Sequence, residues 1–510
     1  MQIKKIFKFN GGVHPDGNKA ESTHLPIARL PIPKKLVLPL RQHVGNIAKL
    51  KVKIGDHVLK GQMIAEADGN ISASIHAPTS GKIIKISEEV VPHPSGLPDF
   101  CLTLEPDFKD QWIEKKSIQW KKLDSATLIQ TLTHSGIVGL GGAVFPTHMK
   151  LKINKTQSIN TLVINAAECE PFITCDDMLI RERADEIIQG ALITQSILNA
   201  KHCMIGIEDN KIEAFQSLTK AAKKTSIEIK VVPTIYPSGD AKRLIYLLMG
   251  IEVPKEKRSI DLGIQVFNVA TVAAIYRYIE LGEPSINRIV TVTGNVKTPQ
   301  NYEVLFGTPL PELIKNADGK ETKIDKFIMG GPMMGFDLPS INVPVTKAMN
   351  CVIGSSPELF LPPKPVMPCI RCARCADACP VYLQPQELYW FSKSSQLEKA
   401  IDYNLFDCIE CGCCTYVCPS NIPLVQFYRY AKSEIIAEEK AKEAANTARE
   451  RNEFRLSRIE REKKERAERN AQKALGAQEK QATDEKKLAI SDAIKRVKKN
   501  QQENIKNKNE

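Results

Sequence analysis

The sequence predicts a multidomain chain of α/β and α+β character that closes with an α-helical, cysteine-rich domain and a charged tail. Three observations predict it. Apolar strand-like segments alternate with helical stretches between residues 120 and 255. Two cysteine runs of one spacing lie between Cys369 and Cys418. Beyond about Phe427, apolar residues thin out and acids and bases interleave. The chain has 510 residues, enough for several domains, and 42% hydrophobic content supplies their cores.

Residues 1–35, rich in Gly, Pro and polar residues around Gly11-Gly12-Val13-His14-Pro15, read as an extended arm lying over other parts of the chain. Residues 36–110 read as short strands such as Leu36-Val37-Leu38 and Ala48–Val52. Turns are marked at Gly55-Asp56, Asp68-Gly69 and Ser80-Gly81. Residues 120–260 form an α/β domain with a mostly parallel sheet. Thr161–Asn165 and His202–Ile207 are its buried strands, and Glu182 to Leu198 is a helix with apolar residues at helical spacing. Residues 261–345 return to strands, Arg288–Val296 being the clearest. A helix is then opened by Thr308 as cap and Pro309 in its first turn. Four prolines in 362–368 mark a linker to the cysteine-rich domain at 362–430, with helices expected over Gln386–Phe391 and Ser395–Tyr403. Residues 431–510 carry 22 Lys and Arg against 16 Asp and Glu, the composition of a solvated helix fading into disorder.

The cysteine runs carry the chemistry. Cys369-x2-Cys372-x2-Cys375-x3-Cys379-Pro380 and Cys408-x2-Cys411-x2-Cys414-x3-Cys418-Pro419 both have the bacterial ferredoxin spacing for [4Fe–4S] clusters. The tight loop supplies three thiolates, and the cysteine before the proline ligates the other cluster. Cys369, Cys372, Cys375 and Cys418 are therefore expected to hold one cluster, and Cys408, Cys411, Cys414 and Cys379 the other. Cys413 breaks the rhythm and is left out. A zinc site would mix in histidine or use two Cys pairs, yet all nine histidines lie at or before His202. Disulfides suit small secreted chains rather than this one. The remaining five cysteines share no spacing and read as small buried apolar residues.

Half of the net charge of +12 lies in the tail, the body is only mildly basic, and no basic patch with aromatic support points to nucleic acid. No stretch approaches 18 uninterrupted apolar residues, so no membrane span is expected. The N-terminus, with Lys8 and Asn10 behind Lys4 and Lys5, is too broken for a signal-peptide core. Membrane association, if any, is by docking.

Ser135-Gly136-Ile137-Val138-Gly139-Leu140-Gly141-Gly142-Ala143-Val144-Phe145-Pro146-Thr147-His148-Met149-Lys150 is the second informative stretch. Its glycines let backbone N–H groups approach a ligand. It is neither a Walker loop nor G-x-G-x-x-G, and alone it is as readily a plain turn as a cofactor cradle. It resembles the flavin loop of the flavoprotein subunit of respiratory NADH dehydrogenase. Asn165-Ala166-Ala167-Glu168-Cys169-Glu170-Pro171, Tyr236-Pro237-Ser238-Gly239-Asp240 and Phe267-Asn268-Val269-Ala270-Thr271 are similar to further segments of that family, in the same order. Leu140 stands where that family has arginine. Val144 takes the place of a glycine, and Ala167 and Cys169 replace an acid and a serine.

Lys53–Gln62 and Ile75–Ile83 resemble the biotinyl/lipoyl β-barrel, without a carrier lysine at the expected tip Ala67–Asn70. Residues 285–345 resemble the β-grasp-like SLBB domain. The domain order as a whole resembles the RnfC/RsxC family, the C subunits of the Rnf/Rsx ion-translocating electron transport complexes. That resemblance implies a Rossmann-like FMN- and NADH-binding domain. Gly139, Gly141, Gly142, Lys150, Asn165, Gly239, Asp240, Asn268 and Thr271 would surround FMN, with Glu168 and Glu170 on the nicotinamide side. It implies two [4Fe–4S] clusters, NADH as substrate, and no single catalytic side chain. It also implies docking on membrane subunits and on a ferredoxin-like B subunit, as a peripheral protein on the cytoplasmic side of the inner membrane. In the Rsx version, the complex keeps a redox-sensing regulator reduced. A flavin-free cluster wire and a non-catalytic scaffold are the competing readings.

Overall fold

A computed structural model describes residues 6–69, 71–153, 157–318, 324–362 and 364–506. The chain divides into two units, Met1–Ala431 and Lys432–Glu510. The first holds every predicted site.

The barrel comes from two small sheets. Strands Leu36–Pro39, Pro98–Pro106, Gly81–Val90 and His57–Val58 form one, in that order, all antiparallel. Lys49–Leu50, Met63–Glu66 and Ile75–His76 form the other. Alternating residues point inward, and Leu36, Leu38, Ile64, Ile83, Leu102 and Leu104 are fully buried between the sheets. The expected tip lies between Met63–Glu66 and Ile75–His76. Ala67, Asp68 and Gly69 carry no lysine there, and Asn70 lies outside the described residues.

The α/β domain is built on a parallel sheet in the order Glu228–Val232, His202–Glu208, Thr161–Ala166, Ile264–Asn268. The strand Ile264–Asn268 and the helix Val269–Leu281 shift the expected boundary at residue 261. The strand hydrogen-bonds to Thr161–Ala166 with Asn268 opposite Asn165, and the helix packs on the long helix Cys175–Leu198. At that crossing a Cβ on Gly190 would sit 1.9 Å from the Val272 carbonyl oxygen, so only glycine lets the two helices meet. An open sheet edge with apolar faces needs such a partner, and the turn at Ser259–Leu262, closed by Gly263 at φ +70°, leads into this strand rather than out of the domain.

The next domain is a six-stranded mixed sheet in the order Ala28–Arg29, Gln300–Leu305, Asn287–Gly294, Cys351–Ser355, Lys326–Met329, Phe336–Asp337. Its expected end at 345 moves outward, because Cys351–Ser355 inserts between Asn287–Gly294 and Lys326–Met329. The helix Leu310–Asn316 begins one residue later than expected. Pro309 occupies the cap position, while the Thr308 hydroxyl donates back to Leu305 O. Residues 319–323 of this domain lie outside the described set.

The arm, described from Ile6, is tied down along its length. Val13 bridges to Tyr236, and Ala28–Arg29 adds a parallel edge strand to Gln300–Leu305. The Lys19 ammonium donates to the carbonyls of Glu170 at 2.7 Å and Ile173 at 2.6 Å.

The cysteine-rich domain is helical. It contains Arg374–Asp377, Pro385–Lys393, Leu397–Asp402 and Cys413–Tyr416, and the start of the final helix Leu424–Lys506. Pro363, in the expected linker, lies outside the described residues. In the second unit the tail is helical rather than frayed. Its Ala, Lys, Glu and Arg content favours helix, and pairs such as Arg458–Glu462 at 3.4 Å lie one turn apart. Among the described residues no helix is long and apolar enough to cross a membrane.

Candidate flavin and iron–sulfur sites

The predicted flavin residues converge at the carboxyl ends of the parallel strands, where open α/β sheets bind ligands. Asn165 and Asn268 face each other in register at the ends of adjacent strands. Asn268 caps the helix Val269–Leu281 by accepting from the N–H groups of Ala270 and Thr271, and its amide donates to Asp176 at 2.5 Å. Asn165 donates to Gly239 O at 2.8 Å and accepts from Ala167 N–H. Asp240 caps the helix Ala241–Met249 through Arg243 N–H. Gly239 is packed closely, since a Cβ there would lie 2.9 Å from Ala167 O.

The glycine loop closes over these strand ends. Gly139 N–H donates to Phe145 O at 2.9 Å, and Leu140 N–H donates to the Thr271 hydroxyl at 2.9 Å. Gly141 lies against the Asn268 side chain. Gly142, at φ +115°, faces open space. Leu140 is buried with Ala73 and Val138, which accounts for an apolar residue where the related loop has arginine: the side chain fastens the loop to the barrel. Val144 keeps a left-handed backbone, φ +42°, although it replaces a glycine. That conformation is strained for a β-branched residue.

Lys150 is half-buried, and desolvation pushes its ammonium down to about 8. Its contact is the face of Phe267, 4.8 Å away, and among the described residues no acid pairs with it. A desolvated cation without an acidic partner, on the short helix that follows the glycine loop and over a residue of the strand Ile264–Asn268, fits a phosphate-bearing cofactor such as FMN.

Glu168 and Glu170 do structural work. Glu168 is buried and accepts from the N–H groups of Asp176 and Asp177 at the start of the helix Cys175–Leu198. The Lys211 ammonium reaches it at 3.4 Å. Burial, then the Glu168 charge, pushes the Asp176 carboxyl up to about 7. Glu170 accepts from the N–H groups of Met333 and Met334, and burial raises its carboxyl above the usual range. Sequence reasoning placed both acids at the site but missed these partners.

The eight predicted cluster cysteines gather into two cavities. Cys369, Cys372, Cys375 and Cys418 line one, and Cys379, Cys408, Cys411 and Cys414 line the other together with Cys413. Each set crosses the two runs as the ferredoxin spacing implies. The runs share a backbone at a 39-residue offset. Left-handed residues recur at Arg371 and Glu410, Ala373 and Gly412, and Tyr382 and Asn421. The repeated turns bring four cysteines to the lining of each cavity, the number of thiolates a cubane needs. Cys413 is fully buried, its sulfur 3.9 Å from Tyr236 O, and the Cys411 thiol and burial raise its own thiol.

The second cavity is joined to the flavin side. The Tyr236 hydroxyl donates to Cys411 O at 2.6 Å, and the Arg243 guanidinium donates to Pro380 O. Gly12 N–H donates to Ala378 O at 3.0 Å. Tyr236 was noticed only as part of a motif. Its hydroxyl contact with residue 411 leaves no trace in local spacing.

Fold and sites together define a flavin and iron–sulfur electron-transfer protein. Comparison with known proteins agrees. Residues 7–109 match the RnfC barrel sandwich hybrid domain and 132–277 the Nuo51 FMN-binding domain. Residues 289–337 match the SLBB domain and 368–422 a 4Fe-4S dicluster domain. The C subunit of the ion-translocating oxidoreductase complex of Serratia proteamaculans is 44% identical over 97% of the chain and 70% of its own length. The proteins of the same name from Vibrio cholerae and Haemophilus influenzae are 45% and 46% identical, over 98% and 79% of the chain. The chain covers 65% of the first of these relatives and 50% of the second. A solved NAD+-reducing [NiFe]-hydrogenase chain aligns over 62% of each chain at 18% identity with a TM-score of 0.43, too loosely to carry an argument. The chain belongs to the family of C subunits of the ion-translocating oxidoreductase complex.

Proposed function

We propose that this chain is the peripheral electron-transfer subunit of a membrane complex that couples electron flow between NADH and a ferredoxin-type carrier to ion movement. The observation that carries the reading is the joint at Tyr236: one cysteine cavity is hydrogen-bonded to the domain whose strand ends hold the flavin residues. FMN, when bound, accepts two electrons together and releases them singly. The chain's part is to bind and orient. Lys150 pairs with the cofactor phosphate, and the backbone at Gly139, Gly141, Gly142 and Gly239 lets the cofactor come close. Asn165, Asn268, Thr271 and Asp240 fix the walls, and Glu168 and Glu170 border the nicotinamide side. Cys369, Cys372, Cys375 and Cys418 ligate one [4Fe–4S] cluster; Cys379, Cys408, Cys411 and Cys414 ligate the other. The partners are the membrane subunits and the ferredoxin-like B subunit, met on the cytoplasmic face of the inner membrane. In complexes of the Rsx type the outcome is a redox-sensing regulator kept reduced.

One anaerobic preparation tests this. Iron, sulfide and flavin are measured, then NADH is added. About eight irons and one FMN, with flavin bleaching on NADH, are expected. Iron without flavin would leave a flavin-free wire, and little iron a scaffold; either sinks the reading.

A further inference from the structure

The two cysteine runs share a backbone but not their surroundings. The second is covered: Cys411, Gly412, Cys413 and Cys414 are all buried. Gly412 presses on the loop at Met333, where a Cβ would lie 2.8 Å from the carbonyl oxygen. Its acids are used internally, Asp407 by Lys255 at 3.3 Å and Glu410 by Arg429 at 2.8 Å.

The first run is more open from Ile370 to Cys375 than the second is at the matching positions. Ile370, Arg371, Cys372, Ala373 and Arg374 are exposed, Ile370 to 68%. From Lys364 to Ala376 the chain has three bases and no acid; the matching segment, Tyr403 to Thr415, has two acids and no base. Among the described residues neither Arg371 nor Arg374 has an acidic partner. Val366 and Met367, both 57% exposed, add apolar area beside them. An exposed cluster loop with unpaired guanidinium groups and a bare isoleucine has the make-up of an interface: apolar centre, charged rim.

We propose that the loop Cys369–Cys375, with Ile370, Arg371 and Arg374, is the face at which electrons cross to or from a one-electron carrier whose redox centre is bordered by carboxylates. It rests on the reading above for the clusters but not for NADH. The step is a single electron moving between the carrier's centre and the first-run cluster: one is oxidised, the other reduced, and no bond or proton changes hands. The arginines steer the acidic carrier and fix its register, while Ile370 excludes water at the contact.

The test uses the full chain with clusters intact and an acidic bacterial 2[4Fe–4S] ferredoxin as probe. Affinity is measured with both proteins oxidised. Transfer is then followed by stopped flow from dithionite-reduced ferredoxin, so that NADH plays no part. Affinity and association rate are expected to fall about tenfold or more from low to high salt. In R371E/R374E they should fall by a similar factor at low salt, with iron content and cluster EPR unchanged. I370D should lower affinity further. K223E/K224E, the same charge change on an exposed site of the α/β domain, should have little effect. Equal responses of the two double variants would overturn the proposal. So would R371E/R374E abolishing self-association of the chain while carrier binding stayed intact, which would assign the face to a second copy.

Discussion

Two seams meet at the α/β domain, and they are made of different materials. The glycine loop is seated on the barrel through ionisable groups stripped of water. The Lys347 ammonium, fully buried, donates to Ser74 O at 3.2 Å and Gly136 O at 2.6 Å. Desolvation lowers it to about 7. His43 accepts from Ala73 N–H and faces the Lys347 and Arg41 charges; burial, then Lys347, pushes it down to about 4. The cysteine-rich domain is seated mainly on its own backbone instead: Gly11 packs against Cys379 and Gly412 against Met333, Tyr236 and Arg243 donate to the Cys411 and Pro380 carbonyls, and the ion pair Lys255–Asp407 is partly exposed. The first seam should answer to protons and the second to steric bulk.

The largest test of that difference is Gly412→Val. The left-handed backbone, φ +80°, and the Met333 carbonyl leave no room for a branched side chain. Destabilisation of about 3 kcal/mol or more is expected. Iron should fall from about eight to about four per chain, with flavin retained. Loss of flavin as well would mean that the seams are not separable.

Acid should strike the other seam. Above about pH 6.5 His43 is neutral in folded and unfolded chains alike. Below it the unfolded chain takes up a proton that the folded chain resists, so stability falls until about pH 4. The fall is worth roughly 3 kcal/mol. His43→Gln, able to accept from Ala73 and donate to Val44, should flatten that part of a thermal-stability profile. An unchanged slope would remove His43 from the account.

Tyr236→Phe is the mildest change, leaving Cys411 O without its donor at a cost of about 1–3 kcal/mol. Thermal unfolding should show this loss equally at pH 5 and pH 8. A strong pH dependence would blur the contrast between the seams.

What the sequence revealed followed local spacing. The cysteine runs and the glycine loop are short, and their chemistry requires fixed residues at fixed intervals, so both could be read and both gather as read. The parallel strands at Thr161 and His202 showed through their apolar runs. The strand Ile264–Asn268 fell on the wrong side of the expected boundary at residue 261, because its partner Thr161–Ala166 is distant in sequence and only tertiary pairing decides. Lys347 and Tyr236 were not seen in their roles, since their partners lie 211 and 175 residues away.

The Gly12–Ala378 hydrogen bond sets an order of events during biosynthesis. A ribosome adds about 5–20 residues per second. The arm therefore emerges roughly 20–70 s before the residue it must grip exists. Until then its docking place beside the cysteine-rich domain cannot be complete. The arm must wait for nearly the whole body of the chain to be made, so its closure over Cys379 is a late step of folding rather than an early one.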